Sequence, residues 1–277
     1  MSLKGLAKQV LEILEHGYYD ADHGRVSIAK AQQNAVDGSC LYTPDKLLEL
    51  RNVLSAGNAV PLVTVSEGTT QLVARALAED GRLVLLNFAS ARNPGGGFIG
   101  GAKAQEEDLC RCSGLYKTLV PHTDYYESNR QQKCMLYTDH AIYSPDVPFF
   151  KIRGTGNLLP DPFLASVITM PAPNTGPYLK RAGSSLAKLE ACFAQRWLNV
   201  LAIARDQGHD TVLLGAWGCG AFRGDPVMAS RTAKAAIRQM GADFKRIDFA
   251  IPGGGRISRQ NLKSFRQQFA ESSLNKT

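Results

Sequence analysis

Residues 87–119 read NFASARNPGGGFIGGAKAQEEDLCRCSGLYKTL. The stretch leaves an apolar run, Arg82–Phe88 (RLVLLNF), crosses five glycines and enters a segment read as a helix. A run of that kind with no polar alternation marks a strand buried on both faces, as in a sheet flanked by helices. Gly95, Gly96 and Gly97 have no side chains, so their backbone can take positive φ and come into contact with a ligand. Their N–H groups are then free to hold phosphate, although a triple glycine alone is equally a flexible turn. Functional loops of α/β sheets lie at the carboxyl ends of strands, which is where this one falls.

The same rhythm extends both ways. Val60–Val65 reads as a strand, Thr69–Glu79 as a helix stopped by Gly81, Ala165–Thr169 as a strand and Ser184–Arg205 as a helix. Thr211–Ala216 reads as a strand, Asp225 or Pro226 to Met240 as a helix, Arg246–Ile251 as a strand and Asn261–Phe269 as a last helix. Strands alternating with helices predict an α/β fold with a largely parallel sheet. Upstream, Leu3, Leu6, Val10, Ile13 and Leu14 recur at helical spacing before Gly17, and a second helix follows Thr43-Pro44-Asp45 over Lys46–Leu54. Residues 1–55 are thus expected to be an α-helical extension packed on a main domain of residues 56–277. Residues 121–164 are poor in periodicity and read as a long insertion or mixed region over the sheet. There is no internal repeat and no low-complexity segment.

The 277 residues, 44% hydrophobic and 21% charged, exclude a disordered or collagen-like chain despite 26 glycines. Residues 1–55 carry 6 basic and 7 acidic side chains of the 32 and 25 in the whole, so the surplus of +7 lies in the main body. A basic body suits an anionic ligand, and suits a plain solubilising surface as well. The six cysteines include no C-x-x-C pair and read as reduced thiols. The five histidines form no ligand-spaced cluster, so neither metal nor cofactor is expected. With no apolar stretch of about 18 residues and no apolar leader region, the expectation is a cytoplasmic protein without membrane contact.

A second loop, GAWGCGAFRGDP at 215–226, again runs from a strand into a helix, with Asp225 at the cap. Two such loops in one sheet can grip a diphosphate from two sides through backbone amides and helix N-termini. Phe222 sits among small residues there, and packs either on a ligand sugar or on the core. The G-x-G-x-x-x-G within this loop departs from the dinucleotide fingerprint, and no P-loop motif occurs. Between the first loop and its helix stands Gln105-Glu106-Glu107. Carboxylates at a helix start can be simple dipole complements. Beside a phosphate-binding loop, a carboxylate is unfavourable unless protonated or needed, which points to a general acid.

These residues resemble a known family. GGGFIGGAKAQEE, with seven residues between the glycine triplet and Gln-Glu-Glu, is similar to the signature of bacterial-type poly(ADP-ribose) glycohydrolases. The resemblance spans about residues 56–270 and implies a macrodomain-like α/β/α sandwich with a mixed, largely parallel sheet. It implies hydrolysis of the ribose–ribose O-glycosidic bond of poly(ADP-ribose), releasing ADP-ribose and reversing ADP-ribosylation, with polymer or ADP-ribosylated protein as partner and no obligatory nucleic acid. Glu107 would be the general acid and then base, through an oxocarbenium-like transition state, and Glu106 would orient a ribose hydroxyl. Asn93 and Gly95–Gly97 would contact the distal ribose and phosphate, Gly218, Cys219, Gly220 and Ala221 the diphosphate, and Phe222 the ribose. Gln105 belongs to the same motif, and Glu67 would accept from the adenine amino group. The alternatives are a catalytically silent ADP-ribose reader, which binds without turnover, a hydrolase of single ADP-ribose or O-acyl units, and a nucleic-acid-binding regulator.

Overall fold

The computed structural model describes residues 1–53, 59–152 and 158–270. Helix α1 (Leu3–His16) starts at Ser2, whose Oγ accepts from the Gly5 amide at 3.1 Å, and stops at Gly17 in the left-handed conformation. A hairpin of β1 (Tyr18–Ala21) and β2 (Gly24–Ser27) follows, then α2 (Ala29–Asp37), β3 (Cys40–Tyr42) and α3 (Pro44–Arg51). The chain continues as β4 (Leu62–Glu67), α4 (Thr70–Leu77), β5 (Leu83–Phe88), α5 (Gln105–Cys110), α6 (Leu115–Leu119) and α7 (Thr123–Gln131). Then come β6 (Ala141–Lys151), β7 (Leu158–Met170), α8 (Thr175–Leu179), α9 (Leu186–Asp206), β8 (Thr211–Leu214), α10 (Pro226–Met240), β9 (Arg246–Ile251) and α11 (Gly255–Gln268).

Seven strands form one sheet in the order β3-β6-β7-β5-β8-β9-β4. Pairing from β7 through β4 is parallel, and β6 runs antiparallel to both β3 and β7. Successive strand residues point to opposite faces, and β5 divides accordingly. Val84 and Leu86 enter a core with α3, α9, α10 and α11, whereas Leu83 and Leu85 enter a second core with α1, α4, α5, α6 and α7. The three-layered α/β/α arrangement with a mixed, largely parallel sheet is the expected one.

Three local readings differ. The first 53 residues hold a hairpin and a strand besides their helices, and β3 is hydrogen-bonded into the main sheet through β6. The expected boundary between residues 55 and 56 lies outside the described residues. The stretch 121–164 is no insertion, since it supplies α7, all of β6 and half of β7. Pro145 and Pro148 obscured β6, where the register breaks between Ser144 and Val147 and leaves Pro145 in a bulge. Finally, α11 begins at Gly255, six residues before the expected Asn261. All six cysteines are free thiols; Cys110 ends α5 and Cys112 lies beyond it. Among the described residues no helix is long and apolar enough to cross a membrane.

Arg196 fixes the connection that brings residues 137–140 to the sheet's carboxyl edge. Its guanidinium is 1% exposed. It donates to Asp139 Oδ1 at 3.0 Å, to the Pro171 carbonyl at 2.9 Å and to the Thr138 carbonyl at 2.9 Å. Removing it strands two buried carbonyls, while Asp139 is partly exposed and keeps a bond from Gln195 Nε2, so Arg196→Ala is expected to cost about 1–3 kcal/mol in denaturant unfolding. A loss below about 1 kcal/mol contradicts this account.

Candidate active site

The five mutually parallel strands β7, β5, β8, β9 and β4 end at one edge of the sheet, and a cavity of about 600 Å³ opens there. Its floor is the ends of β5 and β9, and its walls are the two glycine loops. Helix α5 is tied to the strand edge by Gln105. The side-chain oxygen accepts from the Phe88 amide at 2.8 Å, and Nε2 donates to the Leu86 carbonyl at 2.9 Å and Thr70 Oγ1 at 3.3 Å. Arg111 closes the other side, donating to the Ala102 carbonyl at 2.9 Å and to Asp108 at 2.6 Å.

With α5 fixed, Glu106 turns inward and Glu107 turns to the loop. Glu106 is 2% exposed. One of its oxygens accepts from Asn87 Nδ2 at 3.2 Å and the other from the Ser90 amide at 2.6 Å. Burial pushes this carboxyl up to about 8 from an ordinary 4.5, against the hydrogen bonds, and the neighbouring Glu107 adds to the rise. Glu106 is therefore mostly protonated at neutral pH. Glu107 Oε1 accepts from the Gly97 amide at 2.8 Å, folding the loop back onto the helix. Gly96, at φ 59, lies against both acids: a Cβ there would stand 2.5 Å from Glu107 Oε1 and 3.1 Å from Glu106 Oε2. The two carboxyls thus converge on a single backbone position that only glycine leaves open.

The second loop is wound on itself. The Gly224 amide donates to the Gly218 carbonyl at 2.8 Å and the Arg223 amide to the Gly220 carbonyl at 2.9 Å. Asp225 then caps α10, accepting from the Val227 amide at 3.0 Å. Gly218, at φ 76, packs against Ala172 and Phe193, whereas a Cβ at Gly220 would meet nothing within 4 Å. Phe222 is half-buried, lines the cavity and faces Tyr137 with ring centroids 6.3 Å apart.

The structure brings together Asn93, Gly96, Gly97, Gln105, Glu106, Glu107, Gly218, Gly220, Ala221 and Phe222 on the cavity wall. The remaining three expected residues do not line it. Gly95 is buried, and a Cβ there would lie 3.0 Å from Tyr116 Cδ2 and 3.2 Å from Cys110 Sγ. Cys219 is buried too, its Sγ donating to the Trp217 carbonyl at 3.4 Å. Glu67 ends β4 against Gly253 and stands 3.8 Å from Arg266, beside the cavity. The sequence reading overlooked Asn87, whose Nδ2 also donates to Thr169 Oγ1 at 3.1 Å; an amide inside an otherwise apolar strand was the available signal. It also overlooked Gln71, Tyr137 and Asn261, which reach the cavity from distant elements. Among the described residues no cluster of histidine, cysteine or acidic side chains could hold a metal ion.

The family described as microbial-type PARG, catalytic domain, matches residues 7–152. Three crystal structures illustrate the likeness. Poly(ADP-ribose) glycohydrolase from Thermomonospora curvata superposes with a TM-score of 0.90 at 36% identity, over 96% of this chain and 99% of that one. The same enzyme bound to the inhibitor ADP-HPD gives 0.87 at 36%, with the same coverage. The Deinococcus radiodurans enzyme in complex with ADP-ribose gives 0.80 at 38%, over 88% of this chain and 98% of that one. No curated protein sequence matches the chain.

The buried carboxyl gives stability a definite pH dependence. Between about 4.5 and 8 the native state keeps the Glu106 proton that the unfolded chain has lost. Native protein binds more protons there, so stability falls as pH rises through that window. Thermal melts from pH 5 to 8.5 should show a flatter slope for Glu106→Gln than for wild type, whatever its absolute stability. Parallel curves would place the raised ionisation elsewhere.

Proposed function

This chain belongs to the microbial-type poly(ADP-ribose) glycohydrolase family, is a glycosidase acting on poly(ADP-ribose), and we propose that Glu107 is its general acid and base. The observation that carries the assignment is the convergence of both carboxyls on Gly96, at the edge of a cavity walled by two glycine loops. Of the pair, Glu106 has both oxygens engaged by Asn87 and Ser90, whereas Glu107 is 8% exposed and bound only through Oε1 to Gly97. Glu107 therefore has an oxygen to offer a substrate.

In this reading an ADP-ribose unit fills the cavity, its diphosphate between Gly96–Gly97 and Gly218–Ala221. Gly220, with open space where a side chain would be, admits the phosphates to the backbone. Asn93 meets the distal ribose, and Phe222, supported by Tyr137, covers it. The bond from the anomeric carbon to the leaving ribose oxygen breaks as Glu107 gives that oxygen its proton. Water then adds to the oxocarbenium-like carbon while the Glu107 carboxylate takes the water's proton, returning the acid to its starting state. Adjacent helical residues diverge by about 100°, so the pair cannot flank the bond as opposed acid and nucleophile, and one carboxyl serves twice. Glu106, uncharged at neutral pH, adds no negative charge beside the diphosphate. With both oxygens already accepting, its acid proton is what it can donate to a ribose hydroxyl, and so orient it. ADP-ribose as ligand and product, ADP-ribosylated protein as partner, and a cytoplasmic setting belong to the same proposal. In the same reading Glu67, beside the cavity, accepts from the adenine amino group, while Cys219 and Gly95 shape the two loops that hold the phosphates.

Incubation with polymer, with free ADP-ribose followed by chromatography, tests the acid. Glu107→Gln should lower release by on the order of 10²–10⁴-fold, while ADP-ribose affinity by calorimetry stays within about tenfold. Near wild-type turnover would remove Glu107 from the chemistry. Phe222→Ala should weaken ADP-ribose binding by roughly 1.5–3 kcal/mol, the scale of a large apolar side chain's lost burial against a ligand. Unchanged binding and turnover would return Phe222 to the core.

A further inference from the structure

Cutting a polymer brings two repeats to the scissile bond, one held in the cavity and one departing. The departing repeat carries its own diphosphate a few bonds from the oxygen that Glu107 protonates, and it must lie outside the cavity on the Glu107 side. Residues 98–104 and the start of α1 build that side. The loop folds back on itself, the Gly101 amide donating to the Phe98 carbonyl and the Ala102 amide to the Gly97 carbonyl, each at 3.1 Å. Its turn rests on α1: a Cβ on Gly101, at φ 81, would lie 3.1 Å from Lys4 Cγ and 3.5 Å from Leu3 Cβ. Lys4 and Lys103 are both exposed, Lys103 at the cavity rim. Ile99, at the tip of the turn, is 56% exposed.

Lys4 does not suit its helix: it stands in the first turn of α1, which has no acidic residue there. Lys103 lies outside α5, before its cap residue Ala104. A helix N-terminus disfavours a cation and favours an anion. The acids nearby in sequence are engaged, with Glu106 and Glu107 buried and Asp108 paired to Arg111 at 2.6 Å. What this rim presents to solvent is therefore positive charge beside an apolar tip.

We infer that Lys4 and Lys103 form a subsite for the diphosphate of the departing repeat, with Ile99 against its base. The inference rests on the assignment of Glu107 above, which fixes the side from which the polymer leaves. Such a subsite makes polymer a better substrate than an ADP-ribose conjugate whose leaving group carries no phosphate, and makes that advantage sensitive to salt.

Steady-state kinetics on poly(ADP-ribose) and on an ADP-ribose conjugate with an uncharged fluorescent leaving group test it. Lys4→Glu suits the first turn of a helix, so folding is not at risk. It should raise KM for polymer about tenfold and weaken its salt dependence. On the conjugate its kcat/KM should stay within about twofold, since Lys4 lies outside the cavity. Lys4→Arg should restore the polymer KM, and adding Lys103→Glu to Lys4→Glu should raise it further. An unchanged polymer KM, or equal losses on both substrates, would overturn the subsite. If Glu107→Gln cleaves both substrates at near wild-type rate, the Glu107 reading itself fails, which is a result distinct from any lysine variant's.

Discussion

The site depends on burying one carboxylic acid at the start of a short helix. Glu106 can enter the interior because β5 supplies Asn87 Nδ2 and the chain after it supplies the Ser90 and Gly95 amides. Asn87 is held in turn by Thr169 on β7, so two strands and α5 meet at a single carboxyl. No cation faces it. Burial therefore outweighs the three hydrogen bonds, from Asn87 and the Ser90 and Gly95 amides, and the acid keeps its proton to about pH 8. Gln105 makes this placement rigid by taking the Phe88 amide and the Leu86 carbonyl of β5 as partners. Once Glu106 faces inward, the helical turn directs Glu107 toward the glycine loop, and the loop closes on it through the Gly97 amide.

Much of the fold was legible because a strand buried on both faces has no alternative composition. RLVLLNF cannot sit at a surface, and Val84 and Leu85 do reach opposite cores. The Asp225 cap was equally plain, and in the structure Ser2, Thr43 and Thr69 close helix starts with a side-chain oxygen in the same way. Strand β6 was hidden by Pro145 and Pro148, residues that normally argue against an interior strand. The sheet tolerates them because β3 pairs only with Ala141, Ile142 and Tyr143. Beyond Tyr143 the outer side of β6 has no full strand beside it, and the Gly114 amide uses the Pro148 carbonyl instead. Strand β3 has three residues, too few for any periodicity to announce it.

The site was legible where local chemistry dictates it and illegible where the chain merely returns to it. The glycine triplet and the acids ten residues on could be connected because a fold-back of that length is short. Within a glycine loop, however, composition cannot say which residue faces the ligand and which shapes the turn. Gly95 and Gly96 look alike in the sequence, yet one packs on Tyr116 and Cys110 and the other on the two acids. Cys219 and Gly220 differ in the same way. Tyr137 arrives in the left-handed conformation, φ 61, from a segment pinned by Arg196, and nothing local to Tyr137 marks it as a cavity residue.

The charge of the chain acquires a narrower meaning at this site. The surplus of +7 draws an anionic polymer toward the molecule, whereas the Glu106 proton is governed by burial rather than by a paired cation. A carboxyl balanced by a lysine or arginine would stay ionised when a phosphate approached. One whose proton is held by exclusion of water responds in the opposite sense. Filling the cavity with a diphosphate adds negative charge and removes solvent, and both changes strengthen the hold on the proton. Substrate binding thus deepens the condition that lets acids and phosphates share one cavity, and uncharged glycine loops are the walls that allow this, because a basic wall would discharge the acid.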